Sequence, residues 1–404
     1  MNRILILLLL ALPLGLVAQK QAIRVVNPLD APAERLVRFD AILDKPDNQH
    51  VYYLQKGKTK QALEVVSDEK GQLSLVGVVK LQPNESADYT LVTSSPGARS
   101  LPVLTKRTQA ELWTKVTGKM KDGFYVGGGN FQQFDSIRVP DGFKDHAYFI
   151  KYEGPGWESD KVGYRMYLDW RNAVDVFGKR VNRPVLQEVG VDGYESYHHL
   201  GEWGMDVMKV GKALGIGSIA RLNSDQQAVR VEKTDSVFCR VIDGNLQSRV
   251  VTRYHGYAHE GEKVNLISVK TIDAGSRMTL EELHFSAPVG QVCTGIIMDK
   301  KAESFTLTSR NGSWKCLATW GDQSLNKDNL GLAVLAPASQ NPRMATDKLN
   351  HLMVFDAKAS YFQYYFLAAW QLEPNGIQTL EAFKAYLQTE LDALENPVRI
   401  EAVK

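Results

Sequence analysis

The side chains able to do acid–base chemistry gather between His146 and Gly217. There Trp157-Glu158-Ser159-Asp160, Tyr164-Arg165-Met166-Tyr167, Tyr197-His198-His199 and Gly201-Glu202-Trp203-Gly204-Met205-Asp206-Val207-Met208-Lys209 follow one another. Glu158 and Asp160, two apart on an extended strand, would share a face as a carboxyl pair or as metal ligands; in a turn they would be solvated. His198 and His199 would point to opposite faces of an extended backbone, so one at most enters a common site. Arg165, between Tyr164 and Tyr167, is either a carboxylate-binding guanidinium beside phenolic donors or half of an ion pair. Asp206 and Lys209, three apart, could pair locally. Glu158, Asp160, one of His198 and His199, and Asp206 are ligand types for a divalent metal, though their spacing matches no zinc or calcium pattern. Trp157, Trp203 and Trp370 could stack on the apolar C–H face of a sugar ring or fill a core. His146, His255 and Gln363 lie on strands that could reach the same face.

The elements that must position these residues read as β-structure. Val51-Tyr52-Tyr53-Leu54, Leu73 to Val79 and Tyr89-Thr90-Leu91-Val92 alternate polar with apolar between turn-forming segments, which predicts a first β-sandwich over residues 19–102. A helical or mixed connector is expected from Thr108 to Lys119. Longer strands then resume, among them Gly163 to Leu168, Val237 to Ile242, Val264 to Val269 and Tyr361 to Phe366, and predict a large antiparallel two-layer sandwich over residues 103–404. One helix is expected near the end, capped by Thr379, striped by Leu380, Phe383, Leu387, Leu391 and Leu394, and stopped by Asn396-Pro397.

Residues 1–18, with Arg3, an apolar run and small residues before Gln19, read as a secretory signal peptide too short for a comfortable membrane span and without a lipid-attachment Cys. A periplasmic or secreted chain with no stable membrane anchor is the expectation. The 404 residues carry 48 Lys+Arg against 46 Asp+Glu, and loss of Arg3 with the signal leaves 47 against 46. That near-neutral balance argues against nucleic acid as a partner and means that an anionic substrate would be held by a few local cations. Three cysteines, Cys239, Cys293 and Cys316, exclude a disulfide scaffold and read as buried apolar residues. Walker, G-x-S-x-G and H-E-x-x-H signatures are absent, and Gly127-Gly128-Gly129 reads as a tight turn or a close approach of backbone to a ligand.

The order W-E-S-D, Y-R-M-Y, Y-H-H, G-x-W-G-x-D-V-x-K-V-G and L-G-x-G, with the opening Ile23-Arg24-Val25-Val26-Asn27-Pro28-Leu29-Asp30, resembles the bacterial domain-of-unknown-function family 4861 over nearly all of the mature chain. Ser159 stands where that family usually has Asn. The resemblance implies a secreted protein of polysaccharide-degrading bacteria, a sandwich of the galactose-mutarotase type, and kinship with an oligosaccharide dehydratase acting on uronic acid ends. For such a β-elimination His198 or His199 would be the base, Tyr164 or Tyr167 the acid, and Arg165 or Lys209 the carboxylate clamp, with no organic cofactor. The alternatives are a glycoside hydrolase using Glu158 and Asp160, and a non-catalytic glycan-binding protein.

Overall fold

The computed structural model describes residues 19–43, 45–144, 146 and 148–403; the expected export segment, 1–18, lies outside them. The chain is mainly β and built of antiparallel sheets.

Period-two alternation in the first 94 residues sends Ile23, Val25, Leu54, Leu75 and Leu91 to one side, and two sheets close over them. Gln19–Val26, Ser86–Ser94, Val51–Lys56 and Thr59–Ala62 form one; Ala33–Arg38, Leu73–Leu81 and Glu64–Ser67 form the other. Arg399–Ala402 pairs with Gln19–Val26 as an extra edge strand of this first sandwich, whereas the alternation pattern grouped the chain's end with the larger one. Register with a distant strand leaves no mark on local sequence.

The larger sandwich has a nine-stranded sheet running from Ser136–Arg138 at one edge to Ala302–Thr308 at the other. Facing it are two five-stranded sheets, joined by single bridges from Val174 to Gly215 and from Ile216 to Ile296. The core between the layers contains Trp157, Tyr164, Met166, Val176, Met205, Val250, Val334, Tyr364 and Phe366. The Tyr164 hydroxyl fastens the layers together: it donates to the Arg277 carbonyl at 2.7 Å and accepts from the Ala368 N–H at 2.9 Å.

The expected connector at Thr108 to Lys119 is extended, not helical: Thr108–Glu111 joins one of the facing sheets, and Trp113–Lys115 pairs with Phe131–Gln133. Sheet partners overrode a mixed local preference. The C-terminal helix spans Leu380–Glu395 with the Thr379 hydroxyl accepting from the Ala382 N–H at 3.1 Å, and it lays Phe383, Leu387 and Leu391 on the outer face of the nine-stranded sheet against Trp320 and Leu335. All three cysteines are buried free thiols.

Candidate active site

The site is built on the facing sheet ordered Gly204–Asp206, Val174–Lys179, Val162–Met166, Gly156–Ser159, Thr108–Glu111. Alternation turns Trp157, Tyr164, Met166, Val176 and Met205 inward to the core. Their neighbours Glu111, Glu158, Arg165, Asp175, Lys179 and Asp206 therefore face away from it. That polar face is not solvated. Segment 180–203 packs over it through Val185, Leu186, Val189 and Tyr197, which cluster with Phe177 and Tyr152, and every one of the six charged residues is buried.

Buried charge must be paired, and it is. Lys179 Nζ sits 2.5 Å from Glu158, whose other oxygen accepts the Val185 and Leu186 N–H groups at 2.6 and 2.7 Å. Lys151 Nζ and the Tyr152 hydroxyl both reach Glu111 at 2.5 Å. Arg165 binds Asp175 at 2.8 Å, Asp206, and the Tyr197 hydroxyl at 3.0 Å, while the Tyr167 hydroxyl donates to Asp175. Burial, and then the neighbouring Asp175, push the Asp206 carboxyl well above its usual range despite Arg165.

These partners alter the roles expected of several residues. Arg165 is sealed between two carboxylates and cannot clamp a substrate. Tyr164 is a core tie between layers, and Tyr167 is committed to Asp175. Glu158 is spent on Lys179, and Asp160 lies past the strand's end, where it binds Arg107 at 2.8 Å and the Gly275 N–H at 2.8 Å. Glu158 and Asp160 therefore form no carboxyl pair across a glycosidic bond. Nor do Glu158, Asp160, Asp206 and a histidine converge as a ligand set, and no group of three or more metal-ligating side chains occurs among the described residues. Asp206 is turned inward while Lys209 is exposed, so the local pair does not form.

Trp157 is core, with its ring N–H on Thr279 at 2.9 Å, and Trp370 is buried with its N–H on Asp328 at 2.7 Å. Trp203 is a half-buried lid edge against Phe177. His255 and Gln363 follow the core residues Tyr254 and Phe362, so they project from the far side of the nine-stranded sheet.

His198 ends a short 3-10 turn, Ser196–His198, and His199 is exposed beyond it. The Nδ1 of His198 lies 2.9 Å from the Tyr194 carbonyl, which can only accept, and its Nε2 lies 3.5 Å from Asp206. Nδ1 is thus occupied from within the protein, and Nε2 faces the buried Asp206. Burial and the Arg165 charge lower the pKa of this imidazole.

His146 differs. Its side chain is 44% exposed, its Nδ1 lies 3.7 Å from Glu153, and its Nε2 has no polar partner among the described residues. Glu153 accepts the His146 backbone N–H at 2.7 Å and Arg171 at 2.8 Å. Burial alone would raise the Glu153 carboxyl, but Arg171, Arg165 and that N–H outweigh it and hold the group below its usual range. The Tyr194 ring stands between the two imidazoles, 4.8 Å from His146 and 4.7 Å from His198. Burial, and then Glu153, raise the Tyr194 hydroxyl, which keeps its proton.

His146 shares a small cavity of about 60 Å³ with Lys115, Tyr148, Glu153, Tyr194 and Tyr197. The backbone here is unusual: His146, Tyr148, Tyr152 and Glu153 have φ of 55°, 57°, 37° and 72°, a left-handed conformation that non-glycine residues adopt at a cost. Gly190 (φ 71°) lines the opposite wall where a β-carbon would lie 3.3 Å from the Tyr197 ring. Sequence reading named His146 but missed Lys115, Tyr148, Glu153 and Tyr194. Three of those four lie inside the segment it singled out; Lys115 carried no signal beyond its charge.

A family model described as a domain of unknown function (DUF4861) matches residues 35–400, nearly the whole chain. No curated protein matches in sequence. Among solved structures the chain is similar to a protein in the Glycosyl Hydrolase Family 38 from Enterococcus faecalis, with TM-score 0.43 and 6% identity over 95% of this chain and 47% of that one. It is also similar to an alpha-mannosidase from Enterococcus faecalis V583, with TM-score 0.44 and 6% identity over 95% of this chain and 46% of the other. The chain spans about half the length of both.

Proposed function

The chain belongs to the DUF4861 family, and from that premise we propose that it is an exported carbohydrate-active lyase or dehydratase acting on uronic-acid-containing oligosaccharides. The observation that carries the reading is the His146–Glu153 dyad: an accessible imidazole whose Nε2 has no polar partner among the described residues, backed by a buried ionised carboxylate, beside the phenols of Tyr148 and Tyr194 and one local cation. General base, general acid and carboxylate neutralisation are the three requirements of elimination next to a carboxylate. In this scheme Lys115 draws the substrate carboxylate toward the cavity, and His146 Nε2 takes the C5 proton. The C5–H electron pair becomes the C4–C5 double bond as the C4–O bond breaks. Tyr194 or Tyr148 gives the departing oxygen its proton, so the leaving group is water or a sugar hydroxyl, and the tyrosine recovers its proton from His146 through solvent. Glu153 holds the imidazolium formed on the way.

The carbohydrate class and the export step belong to this proposal alone. What the described residues contain is no helix long and apolar enough to cross a membrane. The test is incubation with uronic-acid oligosaccharides: short-wavelength ultraviolet absorbance from the double bond conjugated to the carboxylate should rise with wild type and be lost in His146→Ala, with His198→Ala slowed but active. Turnover that survives in His146→Ala overturns the assignment, and products without a new double bond overturn the reaction class.

A further inference from the structure

A second, larger cavity of about 380 Å³ opens on the other side of the Arg171 ion pair. Its floor is the hairpin loop between Val162–Met166 and Val174–Lys179, and that loop is locked. The Asn172 N–H bonds the Asp169 carbonyl at 3.1 Å, the Asn172 side chain donates to the Asp169 and Val231 carbonyls at 3.0 and 2.7 Å, and Asp169 accepts the Arg171 N–H at 2.8 Å. Trp170 stands at the tip of this turn with 42% of its surface exposed. Arg230 holds one face of its ring, its guanidinium carbon 4.8 Å from the centroid. A partly exposed indole backed by a guanidinium, on a loop held by these hydrogen bonds, can take a flat apolar surface at little cost in ordering.

The rest of the lining sets the chemistry of what would lie on it. Asp141, Asp169, Glu232 and Asp235 contribute four carboxylates, Thr234 and Ser236 add hydroxyls, and no Lys or Arg lines the cavity. Each acid has a cation behind it: Arg138, Arg171, Arg230 and Lys263 respectively. Such a wall accepts hydrogen bonds from hydroxyl groups and repels an anion, and its own cations weaken its pull on a free amine. The opposite holds at the His146 cavity, whose free cation is Lys115. Arg171 links the two cavities: it binds Asp169 in the wall of this one and, at 2.8 Å, Glu153, the partner of His146, in the wall of the other.

We infer that the Trp170 cleft is a second subsite, taking an uncharged sugar ring with its C–H face on the indole, next to the ring that reacts at His146. The adjacency rests on the function proposed above; the class of ligand rests on the cleft alone. The substrate is then an oligosaccharide in which a uronic acid adjoins a neutral sugar, and the cleft, not the small cavity, provides most of the contact area.

The experiment is ligand-observed saturation-transfer NMR on the full chain with neutral oligosaccharides as probes, using wild type, Trp170→Ala, Trp170→Phe and His146→Ala, alongside turnover of mixed uronic-acid and neutral oligosaccharides. Loss of one stacking contact is expected to weaken neutral-sugar binding by about tenfold in Trp170→Ala, with Trp170→Phe largely restoring it. His146→Ala should bind neutral sugars as wild type does while turning nothing over. In turnover, Trp170→Ala should raise KM with kcat little changed. If neutral sugars bind Trp170→Ala as well as wild type, or amino sugars bind wild type more tightly than neutral ones, the subsite assignment is overturned even where turnover stands. If neutral sugars bind at Trp170 but no uronic-acid oligosaccharide is converted, the elimination reading falls and the ligand class of the cleft stands.

Discussion

Replacing Lys179 with Met tests how the covered polar face is held together. Lys179 and Glu158 are both wholly buried, 2.5 Å apart, and the Lys179 ammonium also donates to the Ser159 carbonyl at 2.6 Å. Met keeps much of the volume but leaves Glu158 without its cation, so the variant should lose about 3–5 kcal/mol, the range for stripping one partner from a buried pair. Glu158 cannot be released, because it holds the Val185 and Leu186 N–H groups that begin the covering segment. A second change, Glu158→Gln, removes the charge yet keeps an acceptor for those N–H groups, and the double variant should recover about 2 kcal/mol. The pH dependence follows from the sign of the shift. Burial, opposed chiefly by Lys179, already holds the Glu158 carboxyl above its usual range. A carboxyl raised in the folded state supports stability at low pH and withdraws that support as pH rises through its folded value. Without Lys179 that value climbs further, so the penalty should be largest at about pH 8 and shrink toward about pH 5 as Glu158 takes up a proton. Urea unfolding followed by tryptophan fluorescence reads all three quantities. A loss under about 1 kcal/mol, typical of exposed pairs, no recovery with Gln, or a penalty growing toward acid would each refute the argument.

Phe383→Ala should cost about 3–5 kcal/mol, since the ring is fully buried between the helix and the nine-stranded sheet, where it faces Trp320 at 5.2 Å; thermal unfolding with helix content followed by circular dichroism checks it, and a loss below about 1 kcal/mol would show the helix to be loosely docked. Tyr197→Phe removes the hydroxyl that accepts from Arg165 at 3.0 Å and should cost about 1–3 kcal/mol because the guanidinium keeps its buried carboxylates but loses one acceptor. Urea midpoints read that change, and an unaltered midpoint would mean that water replaces the hydroxyl.

The covering segment has a consequence for the two histidine assignments. His198 is drawn inward by the Tyr194 carbonyl and Asp206, so it braces the Tyr194 ring, while on the ring's other side the His146 Nε2 has no polar partner among the described residues. Adjacent residues in a chain do diverge, and His198 and His199 do so here, but through a 3-10 turn and not through an extended strand.

Periodicity alone sets part of this arrangement. Alternation fixed which of Trp157, Glu158, Tyr164 and Arg165 share a face, and the Leu380 to Leu394 stripe with Thr379 before it fixed the helix. The concentration of acids, bases and aromatics from His146 onward also marked the region in which His146, Tyr148, Glu153 and Tyr194 line one cavity. Only the tertiary structure decided what covers each face. Segment 180–203 turned an outward polar row into sealed ion pairs, taking Arg165, Glu158 and Tyr167 out of reach of a substrate. The same folding brought Lys115 from a separate strand to His146 and left Trp170 partly exposed while burying Trp157 and Trp370. Alternation is a property of neighbouring residues, but burial of a face depends on segments dozens of residues away, and no local pattern records them.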